Sequence, residues 1–273
     1  MSFFKNKIAI VTGSGMGIGR AIALELCKQG AHVVLNGRNE ERLERTRQAF
    51  LQEGYNVIAV RADATQISEC DELIQKTIEA FGRVDILITN AGISMSDYFE
   101  NLDPKVFAQV IESNIHGSAF PVLSALPAIK TSKGSIVFIS SAAGLVGLPT
   151  ASAYSAGKMA LTALAQSLKI ELSNTGVHVG IVHVGFTKND DDKRVLNAKG
   201  EWIPVAHRPA YLQQTQEEVA NAVLDLIRKR RFKSILSLVG KLNAFAIRYF
   251  PGIVLSIISY SQRRMGNVYK SKS

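Results

Sequence analysis

Short apolar runs of strand length alternate with longer amphipathic stretches along most of this chain, and few architectures accept that order. The strand-like runs fall at 7–12, 31–36, 56–60, 85–89, 134–140, 177–183 and 233–239. Helical periodicity fills the intervals at 18–29, 40–53, 66–81, 104–129, 152–174 and 215–230. Runs such as Ser135-Ile136-Val137-Phe138-Ile139 are apolar on both faces, as strands are when helices cover each side of a parallel sheet. The order predicts an α/β fold, a doubly wound parallel sheet in one domain over 1–240. A basic, apolar C-terminal extension with helical spacing follows at 241–273. Residues 186–214 break the rhythm. They are polar and irregular, contain Asp190-Asp191-Asp192 and Trp202, and fall at the carboxyl edge of the sheet, where ligands bind in such folds.

Composition excludes several classes. A chain of 273 residues, 47% hydrophobic and 20% charged, is neither disordered nor fibrous. Two cysteines, Cys27 and Cys70, make no disulfide framework and fit a reducing, cytoplasmic setting. The N-terminus shows no secretory signal pattern. Histidines at 32, 116, 178, 183 and 207 have no metal-ligand spacing, so no metal site is expected. The net charge of +9 is unevenly placed. Residues 228–273 hold 11 basic groups and no acidic one, which leaves the first 227 residues with 21 basic and 23 acidic, a net of −2. A nucleic-acid-binding domain would not keep its charge in a tail without a stacking platform, so no nucleic acid is expected as a partner.

Thr12-Gly13-Ser14-Gly15-Met16-Gly17-Ile18-Gly19 stands where the first strand gives way to the first helix. Glycines there permit a tight turn and let the backbone approach a pyrophosphate at the helix N-terminus. The second strand ends Leu35-Asn36-Gly37-Arg38-Asn39, without the carboxylate that would accept from an NAD ribose 2′-hydroxyl. Arg38 can instead clamp a 2′-phosphate, so NADP(H) is expected ahead of NAD(H). Further along, Tyr154 and Lys158 stand at i and i+4 at the start of a long helical pattern, on one helix face. A free phenol titrates near ~10; a neighbouring ammonium lowers that value and readies it for proton transfer.

The TGxxxGxG turn and the Tyr154-Ser155-Ala156-Gly157-Lys158 motif resemble those of the short-chain dehydrogenase/reductase family, over about residues 5–240. The resemblance implies a Rossmann-type fold and an NADP-dependent oxidoreductase that moves hydride between cofactor and a carbonyl or alcohol. It implies a catalytic set of Asn114, Ser141, Tyr154 and Lys158. Ser141 lies 13 residues before Tyr154, with Ser140 as the adjacent alternative. Tyr154 would donate the proton, Ser141 orient the substrate oxygen, Lys158 lower the phenol pKa and contact the ribose, and Asn114 hold a relay water. For the cofactor it implies Gly13, Ser14, Gly15, Gly17, Ile18, Gly19 and Arg38, then Asp63 at the adenine and Asn90-Ala91-Gly92 at the adenine ribose, with Tyr154, Lys158, Gly185 and Thr187 at the nicotinamide end. Val184 stands where members usually have proline, which loosens the loop without removing a chemical group.

Leu145, Val146, Leu148 and Pro149 are expected to wall the substrate pocket, with Phe186 and Trp202 over it. They favour a small hydrophobic, steroid-, retinoid- or acyl-type substrate. A 3-oxoacyl thioester reductase of fatty-acid synthesis and a dinucleotide-binding protein without turnover are the alternatives. Relatives often form homodimers or homotetramers through the helices carrying Asn114 and Tyr154, and the same is expected here. The apolar stretch 244–258 contains Arg248 and Pro251 and is shorter than the ~20 residues that span a bilayer. Two readings of 241–265 follow: it packs over the pocket or a partner subunit, or it lies in a membrane surface as a peripheral contact. The tail resembles those of membrane-associated members.

Overall fold

The computed structural model describes residues 2–206, 209–236 and 238–270. His207 lies outside them, as does Lys272 of the basic tail. The main sheet is built from β1 (Ile8–Val11), β2 (His32–Gly37), β3 (Val57–Arg61), β4 (Ile86–Thr89), β5 (Ser135–Ser141) and β6 (His178–Val184). A small antiparallel hairpin, β7 (Arg194–Leu196) and β8 (Trp202–Pro204), stands apart, and β9 (Lys233–Ile235) closes the main sheet. The order is β3-β2-β1-β4-β5-β6-β9, every pairing parallel. The reversal of strand order between β1 and β4 opens a crevice at the carboxyl ends, the usual ligand position in this architecture.

Helices α1 (Gly17–Lys28), α2 (Glu40–Gln52), α3 (Ile67–Phe81), α4 (Pro104–Ser132), α5 (Ser152–Glu171) and α6 (Gln216–Arg228) form the crossovers. Alternation along each strand divides the core into two layers. Ala9 and Val11 join Ile22, Leu26, Val223 and Ile227 under α1 and α6, while Ile10 joins Leu73, Ile129 and Leu161 under α3, α4 and α5. All of these are buried, which explains why the strand sequences carry no polar face.

The structure departs from the expected pattern at two places. The last strand ends at Ile235 instead of 239, because the chain turns into α7 (Leu238–Tyr249), which α8 (Pro251–Lys270) follows. Segment 186–214 is not wholly irregular. It holds the β7–β8 hairpin, pinned to the body where the Leu196 N–H donates to the Ser94 carbonyl and the Ser96 N–H to the Leu196 carbonyl.

Candidate active site

A cleft of about 500 Å³ runs along the carboxyl edge of the sheet, from Arg38 and Asp63 at one end to Tyr154 and Phe186 at the other. Its near wall is the turn between β1 and α1. Gly19 is required there: a Cβ would collide with the Gly13 carbonyl oxygen and the Asn90 side chain, driving α1 away from the turn. Gly13, Gly17 and Ile18 line the cleft; Ser14, Gly15 and Gly19 do not. Ser14 is buried behind the turn, where its Oγ accepts from the Asn36 N–H at 2.9 Å and fastens the turn to β2.

The first amide of α1 already holds an anion. The Gly17 N–H donates to Asp190 Oδ2 at 2.8 Å, and Gln216 Nε2 donates to Asp190 Oδ1 at 2.8 Å. Burial pushes the Asp190 carboxyl up, but these two hydrogen bonds, with Arg20 and Arg42 nearby, outweigh it and hold the group below its usual range. Arg42 reaches across to Asp192 at 2.6 Å. A carboxylate seated on a helix N-terminus is a chemical stand-in for a phosphate, so the turn fits a dinucleotide pyrophosphate. At the far end of the cleft from Tyr154, Arg38 and Asp63 face each other, Nη1 to Oδ2, at 3.6 Å. Asp63 Oδ1 accepts from the Thr65 N–H and hydroxyl. Asn90, Ala91 and Gly92 line the cleft between the two ends.

The other end carries the groups suited to proton transfer. The two serines at the end of β5 both border the cleft, and their hydroxyls have different partners. Ser140 is buried and its hydroxyl donates to the Lys158 carbonyl inside α5 at 3.1 Å, a structural tie. Ser141 is half-buried at the cleft, its Oγ accepting from the Ala143 N–H at 3.2 Å. Lys158 is buried, and its Nζ donates to the Ile139 carbonyl at 3.0 Å. Burial, assisted by the positive charge of Lys193, pushes the Lys158 ammonium down to about 8. That ammonium lies 5.7 Å from the centroid of the Tyr154 ring, one helical turn earlier, as the i, i+4 spacing required.

Asn114 stands behind the cleft wall rather than in it. Its Nδ2 donates to the Ile93 and Val110 carbonyls at 2.7 and 2.8 Å, and Oδ1 is buried without a hydrogen-bond partner among the described residues. Gly92 permits this: a Cβ there would stand 2.6 Å from Asn114 Oδ1 and 3.4 Å from Lys158 Nζ. Gly185, Phe186 and Thr187 line the cleft at its Tyr154 end. Of the expected apolar wall, Leu148 and Pro149 face the cleft, whereas Leu145 and Val146 do not. Trp202 is exposed on β8 and does not cover the cleft.

Three contributors escaped the sequence reading. His183 on β6 contacts the Ser141 carbonyl through Nδ1 at 3.2 Å, and burial pushes its pKa down to about 4, so the neutral ring donates there. Lys193 lines the cleft beside Asp190, and Asp190 occupies the α1 amide. The acidic run was visible, but no local pattern says that a loop 173 residues away folds onto the glycine turn.

A buried lysine, a tyrosine one turn away and a serine at a strand end, sharing a dinucleotide-sized cleft with a glycine turn, define an oxidoreductase of the Rossmann-type class. The model of the short chain dehydrogenase family matches residues 7–199, and the chain belongs to that family. An 11-beta-hydroxysteroid dehydrogenase-like protein 4A of Arabidopsis thaliana is 35% identical over 202 residues, which span 73% of this chain and 67% of that protein. A short-chain dehydrogenase/reductase from Burkholderia phymatum, solved with NAD, superposes with a TM-score of 0.77 at 25% identity, covering 97% of each chain. An alcohol dehydrogenase from the archaeon Thermococcus sibiricus, complexed with 5-hydroxy-NADP, gives a TM-score of 0.73 at 25% identity over 85% of this chain and 96% of that one.

Proposed function

We propose that this protein is an NADP(H)-dependent carbonyl reductase or alcohol dehydrogenase acting on a hydrophobic, lipid-like substrate. The observation that carries the reading is the convergence of Tyr154, Lys158 and Ser141 on the same cleft as the α1 N-terminus. When bound, the nicotinamide supplies hydride to the carbonyl carbon. The chain's own groups manage the oxygen and the proton. Ser141 Oγ donates to the substrate oxygen and orients it, and Tyr154 Oη delivers the proton. The Lys158 ammonium, fixed by the Ile139 carbonyl, favours the phenolate that remains. Asn114, with Oδ1 unpartnered beside Lys158, holds the route by which that proton is replaced.

Arg38 at the end of β2, with no carboxylate on Gly37 or Asn36, supports NADP(H); the Asp63 partner of Arg38 must yield some of that charge to a 2′-phosphate. Leu148, Pro149, Met95, Phe186 and Val195 give the substrate end an apolar lining, and the hydroxysteroid dehydrogenase-like relative agrees with a substrate of that character.

Oxidation of NADPH and of NADH, followed with a panel of ketones and aldehydes, tests the reading. Turnover with apolar carbonyls and a preference for NADPH are expected, with Tyr154→Phe slowing turnover by about a hundredfold or more. Undiminished activity in Tyr154→Phe overturns the mechanism. Arg38→Asp is expected to shift preference toward NADH; a wild-type protein that already favours NADH overturns the cofactor assignment.

A further inference from the structure

The two C-terminal helices present an apolar surface that the rest of the chain does not cover. Helix α8 has two stripes. Val254 is buried and Ile258 half-buried, and at the next turn Gln262 Nε2 donates to the Tyr98 hydroxyl at 2.6 Å, so this side seats the helix on the body. The neighbouring stripe, Ile253, Ile257 and Tyr260, is 60%, 61% and 60% exposed. Helix α7 adds Leu242, Phe245 and Tyr249, also exposed, with the Phe245 and Tyr249 rings 4.7 Å apart. Single exposed apolar residues are ordinary; six on one pair of packed helices mark a contact surface.

Its charge selects the occupant. Exposed Lys241, Arg248 and Arg263 border the apolar residues, and the sequence from 228 to the end has no acidic residue. The Arg248 guanidinium sits 5.8 Å from the Tyr249 ring centroid, which keeps a basic group beside the apolar residues. Two copies meeting through this face would bring like charges together. An anionic lipid surface accepts both features, apolar groups below the headgroups and basic groups among them. No described helix is long and apolar enough to cross a membrane, so the contact is interfacial.

We infer that α7 and α8 form a docking surface for anionic lipid bilayers, held by Phe245, Ile253 and Ile257 inserted at the interface and by Lys241, Arg248 and Arg263 at the headgroups. The surface lies beside the cleft. Tyr98, which α8 grips, and its exposed neighbour Phe99 follow Met95 and Ser96, which line the cleft. A docked molecule thus meets lipid near its substrate entrance. That last consequence rests on the proposed oxidoreductase reading; the docking does not.

Co-sedimentation of the full chain with vesicles tests it, without substrate or cofactor. Phosphatidylcholine vesicles containing phosphatidylglycerol are expected to pellet the protein at low salt, less so at high salt, and pure phosphatidylcholine vesicles much less. Replacing the three basic residues together (Lys241→Gln, Arg248→Gln, Arg263→Gln) should weaken binding about a hundredfold, each charge near an anionic leaflet contributing about fivefold. The apolar set (Phe245→Ser, Ile253→Ser, Ile257→Ser) should leave the protein in the supernatant. Both variants change exposed groups, and each is expected to reduce a water-soluble carbonyl at the wild-type rate, which separates failed docking from failed catalysis. Equal pelleting of all three proteins, or none by the wild type, overturns the inference. So does a change of mass on sedimentation velocity in the apolar variant without vesicles, which would make the face a contact between copies.

Discussion

At the scale of single residues, the cleft is held in place by groups that also limit its chemistry. Asp190 is the clearest case. Its carboxylate occupies the Gly17 amide; under the proposed function a pyrophosphate would compete for that amide and displace it. Asp190→Ala is expected to tighten dinucleotide binding by up to about tenfold while lowering the thermal stability of the free protein, since a helix-capping carboxylate is worth about 1 kcal/mol. Fluorescence titration with NADPH and a melting curve read the two effects separately, and weaker binding in the variant would show that Asp190 assists the cofactor. Lys158 gives a second prediction. With its value at about 8, the ammonium is full below that pH and is lost above it. The kcat/KM for carbonyl reduction should therefore fall as pH rises through about 8, reporting the free enzyme; a flat profile to pH 10 would remove Lys158's charge from the mechanism. Much of this scale was legible beforehand. Tyr154 and Lys158 could be paired because a helix fixes i and i+4 on one face. The 13-residue spacing to Tyr154 favours Ser141 over Ser140; what the sequence does not show is that the Ser140 hydroxyl is tied to the Lys158 carbonyl inside α5.

At the scale of elements, the parallel strands were readable because burial on both faces leaves continuous apolar runs, and a helix between successive strands is what parallel pairing requires. The hairpin β7–β8 was not readable. Its strands are three residues each, and its place is set by pairing with residues 94–96 rather than by its own periodicity. The same kind of long-range tie links β6 to β5, where His183 meets the Ser141 carbonyl. His183 is neutral in the folded chain down to about pH 4 and titrates near 6.5 when unfolded. The unfolded chain therefore binds the extra proton between those values, so stability is full above about 6.5 and is lost as pH falls through about 4. The shift corresponds to as much as about 3 kcal/mol. His178 on the same strand is shifted the same way by burial and adds to the slope. His183→Gln should flatten the acid side of a urea-denaturation series measured from pH 7 to 4, at the cost of some stability at pH 7; an unchanged slope would mean that other groups set the acid limit.

At the scale of the molecule, two apolar faces call for different partners, and charge separates them. On α5, the exposed residues Ala156, Met159, Ala163, Gln166, Ser167 and Ile170 form an uncharged stripe, with Ile170 74% exposed. Leu123 is exposed on α4, which packs alongside α5. Small and apolar side chains along one helix allow a close, self-complementary approach by a second copy about a two-fold axis. The α7–α8 face has the opposite character, apolar with a basic border, which disfavours contact with its own copy. A homodimer through α4 and α5 is therefore expected to leave the α7–α8 faces open. Leu123→Lys with Ile170→Lys should halve the sedimentation mass without unfolding the monomer, because both side chains are exposed and the cores of α4 and α5 are untouched. It should also lower activity, because α4 and α5 carry Asn114, Tyr154 and Lys158 and lose the support of a neighbouring subunit. Vesicle binding by the double variant should persist at reduced strength, since a monomer offers one docking face where a dimer offers two. A mass that stays constant in the double variant would place the subunit contact elsewhere.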